Sequence, residues 1–341
     1  MEKPKATVIG ISGLALTSEE KILIKNQSPF GFILFKRNIS SPRQVKSLVN
    51  SIKDSVAWDI PIFIDQEGGR VQRLSGKDWI LFPPVSIFGK IAKYSVKLAK
   101  EATFLNYQLI SDDLITLGIN VNCSPCIDLK IKGSDKIIGD RSFSINPEIV
   151  SLLGEISCKA MLSRGVFPVI KHIPGHGRAK VDSHKALPTI DTSWETLKKS
   201  DFIPFKNLNN KPFGMTAHII YDCIDSKHPI SLSSKALNFI REELSFKGIL
   251  LSDDITMSAL SGSLKDRAKR VITAGYDLVL YCDGNALANK DILDEVPSIS
   301  SKMLNKWIKL SREIKQSIPT FDREKTYIRL KYLLESYYNF K

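Results

Sequence analysis

Eight short apolar runs recur along this chain, and each is followed by a break and then by a stretch with helical periodicity. The runs are residues 6–12, 30–36, 61–65, 118–124, 166–171, 213–219, 248–253 and 276–281. The amphipathic stretches between them include residues 41–57, 92–117, 147–164 and 233–244. The runs are apolar almost throughout rather than at alternate positions, which is typical of parallel strands covered on both faces.

This alternation predicts an α/β fold, a (β/α)8 barrel of the TIM type. The first run lacks the glycine-rich turn that follows the first strand of a dinucleotide-binding fold. Because such barrels reach ~250 residues or more as one unit, we expect a single catalytic domain over residues 1–284. Residues 285–341 show no further strand, and they predict a helical C-terminal extension packed on the outside of the barrel, with helices at 302–316 and 325–338.

Composition and termini favour a cytoplasmic protein. No stretch approaches the ~18 apolar residues of a membrane span, and the first apolar run is too short for a signal peptide. The five cysteines are an odd number without the spacing of a disulfide framework. Cys123 and Cys126 form a C-x-x-C spacing, but no second pair accompanies it. Two buried thiols therefore fit better than a zinc or redox site.

The formal net charge of +13 does not predict a nucleic-acid partner. Nucleic-acid binders concentrate positive charge in a stripe with interleaved aromatic residues, whereas the lysines here are dispersed. Lys90, Lys93, Lys97 and Lys100 have the spacing of a solvated helix face. The charge could also attract an anionic substrate. We expect no membrane partner either.

Polar residues follow several of the predicted strands, at the end where a barrel of this type has its active site. Residues 65–70 follow the third run, and Lys171 and His172 end the fifth. His218 ends the sixth run, and residues 253–254 end the seventh. These residues are far apart in sequence, and the barrel predicts that they converge on one pocket.

The segment 171–188 holds three of the five histidines, His172, His176 and His184, beside Asp182. A strand that leads into a glycine-containing loop with His and Asp is typical of a catalytic βα loop, because a rigid strand can aim the loop side chains at a substrate. A turn with incidental histidines is the alternative interpretation.

A metal-dependent hydrolase is one candidate for such a pocket. It would place a His-x-His pair on the first strand, but no histidine precedes His172. Gly175 and Gly177 also argue against a helix that would present His176 and His184 on one face. We therefore predict neither a metal ion nor an organic cofactor.

A glycosidase is the second candidate, because it needs a carboxylate nucleophile and a general acid on either side of the glycosidic bond. Asp253 or Asp254 offers the carboxylate. His184 could be the acid, since the neighbouring Asp182 would stabilise its protonated form and fix its tautomer. Asp65, with arginine and lysine side chains, could hold sugar hydroxyls. A sugar-binding barrel without activity would require neither the nucleophile nor the His–Asp pair.

Six segments together, in this order, carry a resemblance to a known family. They are DQEGGRVQR (65–73), GDRSF (139–143), KHIPGHG (171–177), DSH (182–184), MTAHIIY (215–221) and LSDD (251–254). From about residue 8 to 285 the chain resembles the family 3 glycoside hydrolases, and within them the single-domain bacterial β-N-acetylhexosaminidases of cell-wall recycling. Residues 122–126, NCSPC, depart from the usual NFSPV, which affects packing rather than chemistry.

The resemblance implies a retaining exo-β-N-acetylglucosaminidase that acts on muropeptide fragments through a glycosyl-aspartate intermediate. It implies Asp253 as the nucleophile and His184 as the acid/base, with Asp182 as its partner. The implied contacts to N-acetylglucosamine are Asp65, Arg73, Arg141, Lys171 and His172. It implies that Asp254 is a structural neighbour. We expect a monomer that binds a carbohydrate substrate and no cofactor.

Overall fold

The computed structural model describes residues 3–56, 58–315 and 318–339. Within these residues, eight parallel strands form a closed barrel, in which Val8 of the first strand pairs with Leu280 of the last. The barrel strands are β1 (Lys5–Gly10), β2 (Pro29–Leu34), β3 (Ile62–Ile64), β4 (Val121–Asn122), β5 (Phe167–Ile173), β6 (Phe213–Thr216), β7 (Ile249–Asp254) and β8 (Leu278–Tyr281). Each overlaps one of the eight predicted runs, so the predicted (β/α)8 barrel is confirmed.

Helices surround the barrel and connect its strands. In the described part of the chain they are α1 (Ser18–Asn26), α2 (Pro42–Asp54), α3 (Ser86–Ala92), α4 (Val96–Thr116), α5 (Pro147–Ser163), α6 (Trp194–Lys198), α7 (Phe202–Asn207), α8 (Ser234–Glu242), α9 (Leu264–Thr273), α10 (Ala286–Glu295), α11 (Ser301–Lys315) and α12 (Arg323–Asn339). None of these described helices is long and apolar enough to cross a membrane.

The helical stretch predicted over 92–117 corresponds to α4, which begins four residues later than predicted. Helix α3 ends at Ala92, and α4 begins at Val96 because the Ser95 hydroxyl caps it by accepting the Leu98 N–H at 3.3 Å. The four lysines at 90, 93, 97 and 100 are all exposed, as predicted for solvated helix faces.

Two layers of core explain why the strands are apolar throughout. In β2, Phe30 and Ile33 belong to the cluster inside the barrel, whereas Phe32 and Leu34 belong to the cluster under the surrounding helices. Since both faces of the sheet are covered, the residues on each face must be apolar. The four cysteines at 123, 126, 158 and 282 are free and buried, and Cys223 is free and exposed.

Helix α11 closes the amino-terminal end of the barrel. Trp307 is fully buried inside it, with its ring centroid 5.8, 5.1 and 5.9 Å from those of Phe30, Phe167 and Phe213. Its indole N–H donates to the Asp59 carbonyl oxygen at 2.8 Å. The tail therefore supplies side chains to the barrel interior as well as helices on its outside.

The last helix, α12, is fastened to α4 by ion pairs. Arg323 contacts Asp112 at 2.9 Å and Asp113 at 2.6 Å, and Arg329 contacts Glu101 at 2.7 Å. The two predicted tail helices agree with α11 and α12, although Gln316 lies outside the described residues. The sequence reasoning did not predict α10, and the domain boundary after residue 284 stays a prediction.

Candidate active site

The loops at the carboxyl ends of the strands surround a cavity of about 210 Å³. Seven of the predicted site residues line it: Asp65, Arg73, Arg141, Lys171, His172, His184 and Asp253. Asp182 stands behind His184. His218, which was expected to converge with them, is buried beside the cavity and bonded to the Asp254 carbonyl oxygen at 3.0 Å. The cavity is smaller than the ~300–1,000 Å³ pockets of drug-sized ligands, so it suits a single small ring.

A short hairpin that the sequence reasoning did not predict brings Arg73 back to Asp65. Residues Gln66–Gly68 pair antiparallel with Val71–Gln72. Gly68 has φ +94°, and a Cβ there would lie 2.6 Å from the Pro83 carbonyl oxygen, so the turn requires glycine. As a result, the Arg73 guanidinium donates to Asp65 Oδ2 at 2.9 Å.

Lys171 links Asp65 to a second carboxylate, Glu67. Its Nζ lies 2.8 Å from Asp65 Oδ1 and 2.7 Å from Glu67 Oε1. Arg141 binds both oxygens of Glu67, at 2.9 Å to Oε2 and 2.8 Å to Oε1. Breaking a buried pair of this kind would leave an uncompensated buried charge. Glu67 was not among the predicted residues, although it stands two positions after Asp65 in the same strand-end segment.

Five groups of the cavity wall hold one another in their charged forms: Asp65, Glu67, Arg73, Arg141 and Lys171. Burial raises the pKa of Asp65, but the charges and hydrogen bonds of Lys171 and Arg73 outweigh burial and hold the pKa well below its usual range. Burial likewise raises the pKa of Glu67, but Arg141 and Lys171 bring it down to about 2. Burial lowers the pKa of Lys171, while Asp65 and Glu67 raise it above its usual range. The wall of the cavity is therefore a fixed array of charges at neutral pH.

Asp128 orients His172. Its Oδ2 lies 2.7 Å from the ring Nδ1 of His172, and its Oδ1 accepts the backbone N–H groups of His172 at 3.3 Å and of His176 at 2.7 Å. Burial raises the pKa of Asp128, but His172 and His176 lower it to about 2. The carboxylate can then only accept, so Nδ1 of His172 carries the proton and Nε2 is left beside Arg141 Nη2, at 3.5 Å. Sequence reasoning missed Asp128.

Cys126, Asp128 and His172 offer ligand atoms that lie within 4.8 Å of one another, as a metal site would require. The Cys126 thiol, however, donates to Asp128 Oδ2 at 3.2 Å. Burial and the Asp128 charge raise the pKa of Cys126 well above its ordinary value, whereas a metal binds the thiolate. These residues therefore fit a hydrogen-bond network better than a metal ion.

Asp253 and Asp254, at the end of β7, have different surroundings. Burial raises the pKa of Asp253, but His172, His218 and the Asp254 N–H, which donates to Oδ1 at 2.8 Å, bring it below its ordinary value. The Asp254 carboxylate instead accepts from the Thr256 hydroxyl at 2.6 Å and the Cys282 N–H at 3.2 Å. The Asp254 carboxylate therefore holds the loop after β7 to the end of β8. Asp253 Oδ2 makes no hydrogen bond to the described residues.

His184 and Asp182 form a pair on the loop after β5. Asp182 Oδ1 lies 2.8 Å from the ring Nδ1 of His184 and accepts its backbone N–H at 2.9 Å. The His184 side chain is 61% exposed. Burial raises the pKa of Asp182, but the hydrogen bonds from His184 lower it below its ordinary value. His184 and Asp253 both line the cavity, so the two side chains face the same space.

Comparison with known proteins places this geometry in a family. Residues 4–309 match the model of the glycosyl hydrolase family 3 N terminal domain. A beta-hexosaminidase of Tolumonas auensis is 34% identical over 307 residues, which cover 87% of this chain and 89% of that protein. A beta-hexosaminidase of Neisseria gonorrhoeae is 33% identical over 300 residues, which cover 86% and 81%.

A solved structure is similar over almost its whole length. The crystal structure of NagZ from Neisseria gonorrhoeae, in complex with N-trifluoroacetyl-D-glucosamine, has a TM-score of 0.87 and 28% identity, and covers 97% of this chain and 98% of that one. The family match also runs past residue 284 and includes Trp307. The chain belongs to glycosyl hydrolase family 3, and it is a glycoside hydrolase of the β-N-acetylhexosaminidase type.

Proposed function

We propose that this chain is a retaining exo-β-N-acetylglucosaminidase of cell-wall recycling. It removes the terminal N-acetylglucosamine at the non-reducing end of peptidoglycan fragments, GlcNAc-1,6-anhydroMurNAc with or without its peptide. One observation carries the proposal: the carboxylate of Asp253 and the ring of His184, which Asp182 supports from behind, line one small cavity with a wall of paired charges. The relatives named beta-hexosaminidase, and a neighbour structure that holds a glucosamine derivative, support the sugar.

In the first step, a carboxylate oxygen of Asp253 attacks C1 of the sugar while His184 protonates the glycosidic oxygen. The C1–O bond breaks, the aglycone leaves as an alcohol, and a glycosyl-aspartate ester forms. The lowered pKa of Asp253 supports this role, because a nucleophilic carboxylate must be ionised. Asp254 is excluded from the role because its oxygens are already bound to Thr256 and Cys282.

In the second step, His184 removes a proton from water, the water oxygen attacks C1, and Asp253 leaves as the carboxylate. Two inversions at C1 give net retention of configuration. Asp182 supports both steps, because it binds Nδ1 of His184 and leaves Nε2 to exchange the proton. The exposure of His184 gives water access to it.

The other predicted residues hold the sugar in this proposal. Asp65, Arg73, Arg141, Lys171 and His172 line the cavity and offer charged donors and acceptors to hydroxyl groups. Their positions are set before substrate binds, because the charges are already paired with one another and with Glu67 and Asp128. Such preorganisation lowers the entropic cost of orienting the sugar. We further propose a cytoplasmic monomer, in which every residue assigned to the site comes from the same chain.

Release of 4-nitrophenol from its β-N-acetylglucosaminide tests the reaction, with the β-glucoside as the comparison and with EDTA in a parallel assay. The proposal expects rapid release from the first substrate only, and no effect of EDTA. Binding without release would indicate a sugar-binding barrel, and loss of activity in EDTA would indicate a metal-dependent hydrolase. An α-configured first product, observed by NMR during hydrolysis, would contradict retention.

The aglycone is tested separately. We expect a higher kcat/KM for GlcNAc-1,6-anhydroMurNAc than for N,N′-diacetylchitobiose, because only the first carries a carboxylate for the basic surface to attract. Equal values would confine the proposal to N-acetylglucosamine release and remove the peptidoglycan assignment.

A further inference from the structure

One buried hydrogen bond closes the loop that carries Asp182 and His184. The ring Nε2 of His176 lies 3.0 Å from the hydroxyl oxygen of Ser183. His176 is 3% exposed and Ser183 is 1% exposed, although Ser183 stands between the two residues of the partly exposed pair. The bond therefore joins the pair to the end of β5.

Ser183 is held from a second direction as well. Its carbonyl oxygen accepts the backbone N–H of Ala259 at 3.2 Å, from the loop that follows β7 and Asp253. His184 itself hydrogen-bonds only to Asp182 among the described residues. Ser183 is thus the point at which the pair is fastened to both the β5 and the β7 loops.

His176 is not explained by packing alone. Its backbone N–H binds Asp128 Oδ1 at 2.7 Å, and its ring meets that of His172 edge to face at 5.5 Å. Burial lowers the pKa of His176 to about 4, so the ring is neutral at neutral pH. Its Nδ1 has no hydrogen-bond partner among the described residues. An apolar side chain would avoid this cost, whereas the hydrogen bond to Ser183 requires a polar side chain at this position.

We propose that His176 is a positioning residue for proton transfer: through Ser183 it fixes Asp182 and His184 relative to Asp253. The inference rests on the proposed function, in which His184 is the acid/base. His176 does not line the cavity and does not contact the sugar. Its effect is therefore on the geometry of protonation rather than on sugar binding.

The test compares leaving groups that differ in their need for a proton. Ser183→Ala and His176→Ala should lower kcat/KM at least tenfold for a disaccharide with a sugar leaving group, a part of the ~10²–10⁴ that acid–base catalysis contributes. For the 2,4-dinitrophenyl glycoside the loss should be below about threefold. The inhibition constant of N-acetylglucosamine should not change, because the backbone N–H that holds Asp128 is retained. His176→Gln, whose amide can donate to Ser183, should recover part of the loss.

Two further variants separate positioning from a general structural effect. In a His184→Ala background, adding Ser183→Ala should cause no further loss, since residues that act as a unit are not additive. Ser231→Ala is the matched control, because it removes another buried serine–histidine bond, 2.6 Å long, to Nδ1 of His218. This control variant should change kcat/KM by the same factor for both substrates.

The outcomes distinguish the two proposals. If His184→Ala lowers kcat/KM by the same factor for both substrates, His184 is not the acid and the proposed mechanism fails. If His184→Ala discriminates between the leaving groups but Ser183→Ala does not, the positioning role is overturned. Losses that add in the double variant overturn it too. Ser183→Ala removes a single oxygen atom, so it decides the question even if His176→Ala does not fold.

Discussion

The two sides of the cavity hold their charges in opposite ways. On the β3 and β5 side, Lys171 is 3% exposed and lies between two carboxylates, Asp65 and Glu67. On the loop side, His184 is 61% exposed, and within the described part of the chain its side chain hydrogen-bonds only to Asp182. One side is desolvated and paired before any ligand arrives, and the other faces solvent.

The difference separates recognition from proton transfer. A wall of buried ion pairs on strand ends cannot rearrange without exposing an unpaired charge, so it preserves one geometry for one sugar ring. An acid/base on a loop can let the aglycone leave and let water enter between the two steps. The predictions below probe this contrast, from the largest expected effect to the smallest.

The largest effect is expected for Asp253, which lies between the two sides. Asp253→Asn removes the proposed nucleophile and should reduce kcat on the order of 10⁴-fold or more, while N-acetylglucosamine still binds. Asp254→Asn should cost less, because it weakens only the bonds to Thr256 and Cys282. A mechanism-based fluorosugar that labels a peptide without residue 253 would refute the assignment.

Removing the exposed acid should have a smaller effect that depends on the substrate. His184→Ala should lower the rate ~10²–10⁴-fold for an alkyl or sugar leaving group. An activated phenol needs little protonation, so kcat/KM for its glycoside should fall far less. Equal losses on the two substrates would show that proton donation does not come from this loop.

On the buried side, Arg141→Ala should affect both activity and stability. The loss of a charged donor to a hydroxyl group, about 1.5–3 kcal/mol, corresponds to a tenfold or greater fall in kcat/KM. Glu67 would also lose one of its two cations, at a cost of about 3 kcal/mol in the free energy of unfolding. Chemical denaturation would measure the second effect.

Lys290→Ala is the matched control for stability. Lys290 pairs with Asp294 on the surface, where the two side chains are 59% and 34% exposed. Such a pair contributes little to stability. If both variants lose the same stability, the buried pairing is not what distinguishes the two sides of the cavity.

The buried side should also set how stability depends on pH. His176 has a folded-state pKa of about 4 against an ordinary 6.5, so the unfolded chain binds more protons and stability falls as the pH drops between these values. Glu67 and Asp128 have folded-state pKa values of about 2, below their ordinary pKa values. Their contribution to stability is complete at a pH above the ordinary values and is lost as the pH falls towards 2. Thermal unfolding at a series of pH values from 7 to about 2 would measure this dependence of stability on pH. Glu67→Gln should make the dependence shallower at the acidic end of the range.

The smallest effect concerns the dispersed charge of +13. The attraction of an anionic muropeptide is screened over a Debye length of ~8–10 Å at 0.1–0.15 M salt. Its kcat/KM should fall as salt rises, while a neutral nitrophenyl substrate hardly responds. The same salt dependence for both would leave the lysines with no part in substrate capture.

The fold was predictable because burial on both faces makes each barrel strand an apolar run, whatever its partners. Residues at strand ends, such as Asp253 and Lys171, could be located for the same reason. Glu67 and Asp128 were missed because their roles depend on partners 74 and 44 residues away, which a linear pattern does not show. Helix α10 has no strong apolar face, and the hairpin after Asp65 depends on Gly68 and on packing against Pro83.

The position of Trp307 has a consequence for biosynthesis. One of the aromatic rings that it covers, Phe30, is translated 277 residues earlier, and the barrel closes only when β8 reaches β1. Non-local contacts of this kind form late and leave apolar surface exposed in the meantime. The nascent chain therefore exposes the apolar residues at the amino-terminal end of the barrel until α11 has been translated, and a chain stalled before residue 307 should require a chaperone.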